Sequence, residues 1–279
     1  MTEDVRRTAK LYIGGKFPRS ESARSFEVTD SKGNFITNAS LASRKDARDA
    51  VVAARAAFPG WSGATAYNRS QVLYRVAEIM QGRREQFIDE VSAWSTRAQA
   101  TKEVDQAIDR WVWYAGWADK LAMVTGSNNP VAGPFFNFSV PEPTGVVAVI
   151  APQGQSLLGL VEGIASAVVS GNAVVVVTSA QNPLPAVSLG EVLATSDVPG
   201  GVINILTGHA TEIAPWLASH MDVNAIDLSG VRDKKLAREL EESAAENLKR
   251  VLRPGASPDG LARIKTYLET KTVWHPRGF

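Results

Sequence analysis

The chain has 279 residues, 44% of them hydrophobic, enough for a sizeable core in one or two domains. Lys plus Arg number 30 against 29 Asp plus Glu, a net charge of +1 without long same-sign blocks, so no electrostatic footprint for nucleic acid stands out. The sequence contains no cysteine, which excludes disulfides, thiolate metal ligands and thiol nucleophiles together.

The opening, MTEDVRRTAK, has no apolar h-region, and no later apolar run approaches the ~20 residues of a membrane helix; the chain is read as cytoplasmic, with no membrane contact. LYIGGKF and SFEVTDSKGNFI alternate apolar residues around Gly-Gly and Lys-Gly-Asn, which predicts short strands and turns. From Ser43, SRKDARDAVVAARAAF pairs an N-cap Ser with Asp46 three residues on, and Ala47, Val51, Ala54 and Phe58 mark one helical face. FPGW is expected to end that helix. Helical periodicity continues through SQVLYRVAEIMQGRREQFIDEVSAWSTRA and KEVDQAIDRWVWYAGWADKLAM, where Trp113, Trp117 and Leu121 recur at i, i+4 and i+8 and read as core packing rather than a cofactor cage. GSNNPVAGP is a loop by composition.

The period then changes. GVVAVIA, AVVVVT, VINIL and NAIDL are continuous apolar runs separated by helix-length segments, as in parallel strands buried on both faces. Their order predicts an α/β fold with a doubly wound, mainly parallel sheet. DKKLARELEESAAENLKRVL reads as an amphipathic helix with Leu236, Leu240, Leu248 and Leu252 inward, stopped by Pro254 and Gly255. RPGASPDG reads as a linker into a last helical turn and a β-prone tail, KTVWHP.

Few motifs carry chemistry. Neither GxGxxG nor GxxxxGK[ST] follows any of these strands. GQSLLG invites comparison with a nucleophile elbow, but Gly159 follows Ser156 by three positions instead of two and no His lies close in sequence. The simpler expectation is that Ser156 caps the following helix. His209, His220 and His275 lack the spacing of metal ligands, and Glu241 with Glu242 sits on a solvated helix.

LYIGGKF, ASRKDARDAVVAARAAFPGW, YAGWADK, PEPTGVVAVIAP, SGNAVVVV, VPGGVINILTG and DVNAIDLSG resemble, in order, the N-terminal cofactor-binding lobe of the NAD(P)-dependent aldehyde dehydrogenase superfamily. The resemblance implies a Rossmann-like lobe over residues 10–255, with 135–150 contributing oligomerisation strands. TYLETKTVW resembles the superfamily's C-terminal oligomerisation strand, which implies a linker and such a strand over 256–279. Nearly the whole catalytic lobe of the family, with its nucleophilic cysteine, has no counterpart between these parts.

The resemblance also assigns positions. The family's P-W-N, whose Asn donates to the developing oxyanion, falls on Pro152, Gln153 and Gly154, and Gly154 has no side-chain donor. The Lys that binds the adenosine ribose falls on Val177, and the acidic residue three further on falls on Ala180. The Gly that lets a helix approach the adenine falls on Ala214, the Ser that meets the pyrophosphate on Val231, and the general-base Glu near Pro254. No cofactor is therefore expected, with weak NAD(P) binding left open.

What the resemblance leaves in place is assembly surface: FFNFSVP and TVWHP resemble strands that extend sheets between subunits, making Phe136, Phe138, Val140, Val273 and Trp274 interface candidates. The tail and the changed site resemble the degenerate second module of the two-module, family 16 aldehyde dehydrogenases. This implies a non-catalytic subunit that assembles with a full-length aldehyde dehydrogenase, with itself, or with both. The alternative is an NAD(P)-linked oxidoreductase whose site a partner chain completes.

Overall fold

A computed structural model describes residues 8–255 and 260–278. The first elements are a hairpin of β1 (Ser25–Thr29) and β2 (Phe35–Ser40), antiparallel as the turn chemistry predicts. The LYIGGKF segment exchanges Tyr12–Ile205 backbone bonds of 3.0 and 2.7 Å with the main sheet. Gly14 and Gly15 turn away at φ of 61 and 77°, and Gly15 packs on the Gly200 backbone, where a side chain has no room.

Helix α1 (Arg44–Gly63) starts at the foreseen Ser43, with a complete capping box to Asp46. It does not stop at FPGW: it runs through Pro59 to Gly63. Trp61, only 2% exposed, anchors this last turn by donating its indole N–H to Val168 O at 2.9 Å. Helices α2 (Ala66–Gly82), α3 (Arg84–Ser92) and α4 (Arg97–Ala115) follow. The buried face of α4 is Val104, Ala107, Ile108, Trp111 and Tyr114, one step round from the anticipated stripe; Trp113 and Trp117 are half-buried, and only Leu121 of that set is buried. A short α5 (Leu121–Thr125) leads to β3 (Ser127–Asn129), a three-residue strand inside the segment read as loop, and to β4 (Phe135–Pro143).

The main sheet is parallel, in the order β7-β6-β5-β8-β9: β5 (Val146–Ile150), β6 (Ala173–Val177), β7 (Ile203–Leu206), β8 (Ala225–Asp227) and β9 (Arg250–Leu252). Its crossovers are α6 (Leu158–Val168), α7 (Leu184–Leu193), α8 (Ala210–Ser219) and α9 (Lys234–Ala245). Alternate residues feed two cores. Val147, Val149, Val174 and Val176 face α2, α4, α6 and α7, while Val146, Ala148, Ile150, Val175 and Val177 face α1, α8 and α9. The doubly wound architecture is the one expected.

Two further expectations on helix ends are corrected. Helix α9 ends at Ala245, and Leu248 lies outside it at φ 58°, 89% exposed. The Leu248 N–H bonds Ala245 O and the Lys249 N–H bonds Ala244 O, a Schellman motif that releases Leu248 from the core and sends Arg250–Leu252 into β9. Likewise Ser156 caps nothing: α6 has no side-chain cap of its own, and Ser156, 6% exposed, is within 3.4 Å of the Asn182 amide. Glu103 of α4 reaches across instead and accepts from Leu157 N and Leu158 N at 3.0 and 3.2 Å.

Helix α10 (Gly260–Thr266) and β10 (Leu268–Pro276) complete the described chain; Ala256, Ser257, Pro258 and Asp259 of the presumed linker lie outside the described residues. β10 pairs antiparallel with β4 along nine residues, giving a second sheet in the order β10-β4-β3. Among the described residues no helix is long and apolar enough to cross a membrane.

Candidate functional site

The strand order changes direction between β5 and β8, and a crevice opens there beyond their carboxyl ends. It is a cavity of about 230 Å³ lined by Ile150 and Gln153 after β5, Ala180 after β6, His209 to Thr211 at the start of α8, and Gly230 to Asp233 with Leu236 after β8. Gly230 lies so close to the backbone of Ile150, Ala151 and Pro152 that any side chain there would collide, so the two loops seal backbone against backbone.

The positions assigned by resemblance divide into those in the crevice and those in the core. Ala180 and Val231 line it. Val177 and Ala214 are fully buried in the core under α1, α8 and α9. Pro152 packs on Gly159 at the foot of α6, Gly154 is exposed with Arg232 as its nearest side chain, and Pro254 lies in the turn after β9. None of these side chains is a donor or a nucleophile.

Gln153 and Ser179, at the edge of the crevice, are bonded to the loops around them. Gln153 Oε1 accepts from Ala180 N at 2.9 Å and Gln181 N at 3.4 Å, and Ser179 Oγ donates to Gln153 O at 3.0 Å. The glutamine thereby ties the loop after β5 to the loop after β6. A helix N-terminus in such a crevice normally offers amides to phosphate. At α6 those amides go to the Glu103 carboxylate, and at α9 the Asp233 side chain takes Lys235 N and Leu236 N. Carboxylates therefore occupy the starts of α6 and α9, while the start of α8, which lines the crevice, carries no side-chain cap. Arg232 is exposed, and His209 stacks against Phe26 with ring centroids 5.6 Å apart. No cluster of three metal-ligating side chains occurs among the described residues.

Two acidic side chains with carboxylate oxygens closed off from water escaped the sequence reading. Asp227, 0% exposed at the end of β8, accepts from Tyr267 OH at 2.8 Å and from Ser229 N at 2.9 Å and pairs with the Arg263 guanidinium. Burial and the Asp227 carboxylate push the Tyr267 phenol well above its usual range; Arg263 is raised because Asp227, Tyr267 and their neighbours outweigh burial. The lone acid in the apolar run NAIDL was the available signal. The second group is Glu90 of α3, which accepts from Ser188 Oγ at 2.6 Å and Gln86 Nε2 at 2.9 Å while its Oε2 is sealed without a donor. Burial pushes its pKa up to about 7 against the bonds from Ser188 and Gln86 and the charge of Arg83.

The interface candidates occupy both faces of the β10-β4-β3 sheet. Phe136, Phe138, Val140 and Val273 share one face, with Phe136 and Phe138 rings 5.4 Å apart; Trp274 lies on the other, edge-on to Phe135 at 5.7 Å. Phe136 is 42% and Trp274 58% exposed, and the other three are half-buried. Asn129, Asn137, Ser139 and Thr272 knit the strands through side-chain bonds of 2.6 to 3.0 Å.

A parallel, doubly wound sheet with a crevice at its switch point is the architecture of a Rossmann-like α/β lobe. Comparison with known proteins narrows this. The sequence profile of the aldehyde dehydrogenase family matches residues 17–254. The putative aldehyde dehydrogenase DhaS of Bacillus subtilis is 31% identical over 250 residues, 88% of this chain and 50% of that protein. A putative aldehyde dehydrogenase from Burkholderia cenocepacia superposes with a TM-score of 0.83 at 30% identity, over 88% of this chain and 50% of its own. An NAD-dependent aldehyde dehydrogenase from Sinorhizobium meliloti gives 0.82 at 26%, over 88% and 49%. The chain belongs to the aldehyde dehydrogenase family, and it spans about half the length of these relatives.

Proposed function

We propose that this chain is a non-catalytic aldehyde dehydrogenase-like subunit that assembles with a separately encoded, active NAD-dependent aldehyde dehydrogenase, with itself, or with both, and stabilises or regulates the active enzyme. The observation that carries this reading is the contrast between the two ends of the lobe. The positions that the resemblance assigns to the family's chemistry hold Gly154, Val177, Ala180, Ala214 and Val231, none with a donor or nucleophilic side chain, of which Ala180 and Val231 line the crevice, and no cysteine exists in the sequence. At the second sheet, β10 leaves one edge open along nine residues, beside the exposed Phe136 and Trp274. An open edge that long is a liability unless something covers it.

The residues of the crevice do not fit a dinucleotide held in the family's manner. Two lost contacts of about 1.5 to 3 kcal/mol each weaken affinity by ~10²- to 10⁴-fold if they add. No catalytic step is assigned to this chain.

The test is co-expression with candidate full-length aldehyde dehydrogenases from the same source, affinity purification through this chain, and aldehyde oxidation measured with and without it. A stoichiometric complex with altered activity or half-life is expected, together with a flat NADH fluorescence titration of the isolated chain. Saturable coenzyme binding, or aldehyde oxidation by this chain alone, would refute the proposal.

A further inference from the structure

A second cavity, of about 340 Å³, lies on a different part of the surface, between α1 and α8. None of its lining residues belongs to the crevice or to the β10-β4-β3 sheet. Its floor is apolar, with Ala47 and Leu217 buried and Trp216 and Met221 at 41% and 70% exposure. Its rim is cationic, from Arg44 and Arg48 one turn apart on α1.

Arg44 is the informative residue. Its guanidinium lies 3.9 Å from the centroid of Trp216, and among the described residues no carboxylate pairs with it. Arg48 is taken by Asp49 at 3.0 Å, and Asp46, the acid in the same turn, spends its oxygens on Ser20, Glu21 N and Ser43 N. Arg44 is also the first residue of α1, where the helix dipole disfavours a cation. A partly exposed indole, a neighbouring thioether and an unneutralised guanidinium are residue types enriched at the centre of protein interfaces. A carboxylate on a partner would complement this unpaired cation.

We propose that the α1–α8 groove docks an acidic peptide segment of a protein partner, its carboxylate pairing with Arg44 and a large apolar side chain seated between Trp216 and Met221. The interaction rests on no property of the crevice and stands whether or not the chain is catalytic.

The probe is a phage-displayed random peptide library selected on the intact chain, with the recovered peptides synthesised and measured by fluorescence anisotropy. Enrichment of sequences with Asp or Glu close to Leu, Phe or Trp is expected. Arg44→Glu or Trp216→Ala should weaken those peptides about tenfold or more. Arg44→Glu places an acid where the helix dipole favours one, so the fold is retained; Lys234→Glu, the same reversal at the first residue of α9, should leave binding unchanged. Failure to enrich acidic-apolar sequences overturns the proposal. So does binding indifferent to both groove variants, or equal loss with Lys234→Glu, which would mark attraction to charge alone.

Discussion

Replacing Arg263 with Met tests whether the C-terminal segment is bound into the lobe by a charge rather than merely packed on it. Asp227 is 0% exposed and its carboxylate is held by Arg263, by the Tyr267 phenol at 2.8 Å and by Ser229 N at 2.9 Å. Arg263→Met keeps the volume of the stem, removes the counter-charge and leaves the acid with two neutral donors. Breaking one side of a buried pair costs about 3 to 5 kcal/mol, against about 5 to 15 kcal/mol for the whole fold. At a urea sensitivity of about 3 kcal/mol per molar, the unfolding midpoint followed by circular dichroism should fall by roughly 1 to 2 M. The double variant Asp227→Asn with Arg263→Met removes both charges and should recover at least half of that loss, and Tyr267→Phe alone should cost about 1.5 to 3 kcal/mol. A shift below about 1 kcal/mol for Arg263→Met, or a double variant as unstable as the sum of its parts, would refute the reasoning.

The raised pKa of Glu90 means that its stabilising protonated form is fully present below the ordinary value of 4.5 and is lost as pH rises through about 7. At about 1.36 kcal/mol per pKa unit this is roughly 3 kcal/mol, so Glu90→Gln should flatten the fall in melting temperature between pH 5 and 8; an unchanged profile would disprove it. Leu248→Gly relieves a left-handed residue that buries almost nothing, and should raise stability by up to about 1 kcal/mol, a gain visible as a higher melting temperature. Glu103→Ala uncaps α6 and should cost about 1 to 2 kcal/mol in the same melt; no change would show that the Leu157 and Leu158 amides find water instead.

Local signals in the sequence were faithful where the partner was local. Ser43 and Asp46 lie three residues apart and formed the cap they spell out, and the apolar runs became parallel strands because burial on both faces needs no knowledge of the neighbours. The aldehyde dehydrogenase blocks fixed the lobe's order. Misreadings arose where a distant residue supplied the decisive bond. The α6 cap comes from Glu103, 54 positions before Leu157, so Ser156 looked like the natural candidate. Trp61 holds a turn that Pro59 alone would break by bonding a carbonyl 107 positions away. Of the positions the resemblance assigned, Ala180 and Val231 line the crevice while Val177 and Ala214 lie in the core, and the Gln153 tie and the Asp227–Arg263–Tyr267 group depend on loops and segments that meet only in the folded chain.

The pairing of β10 with β4 also imposes an order of events at the ribosome. Lys271 meets Glu142 across 129 positions of chain, so during translation at ~5 to 20 residues per second β4 waits on the order of ten seconds with both edges nearly bare. The nascent polypeptide, more than the finished one, is then the species exposed to misassociation, and slowing its release or supplying a holdase chaperone should raise the yield of native product.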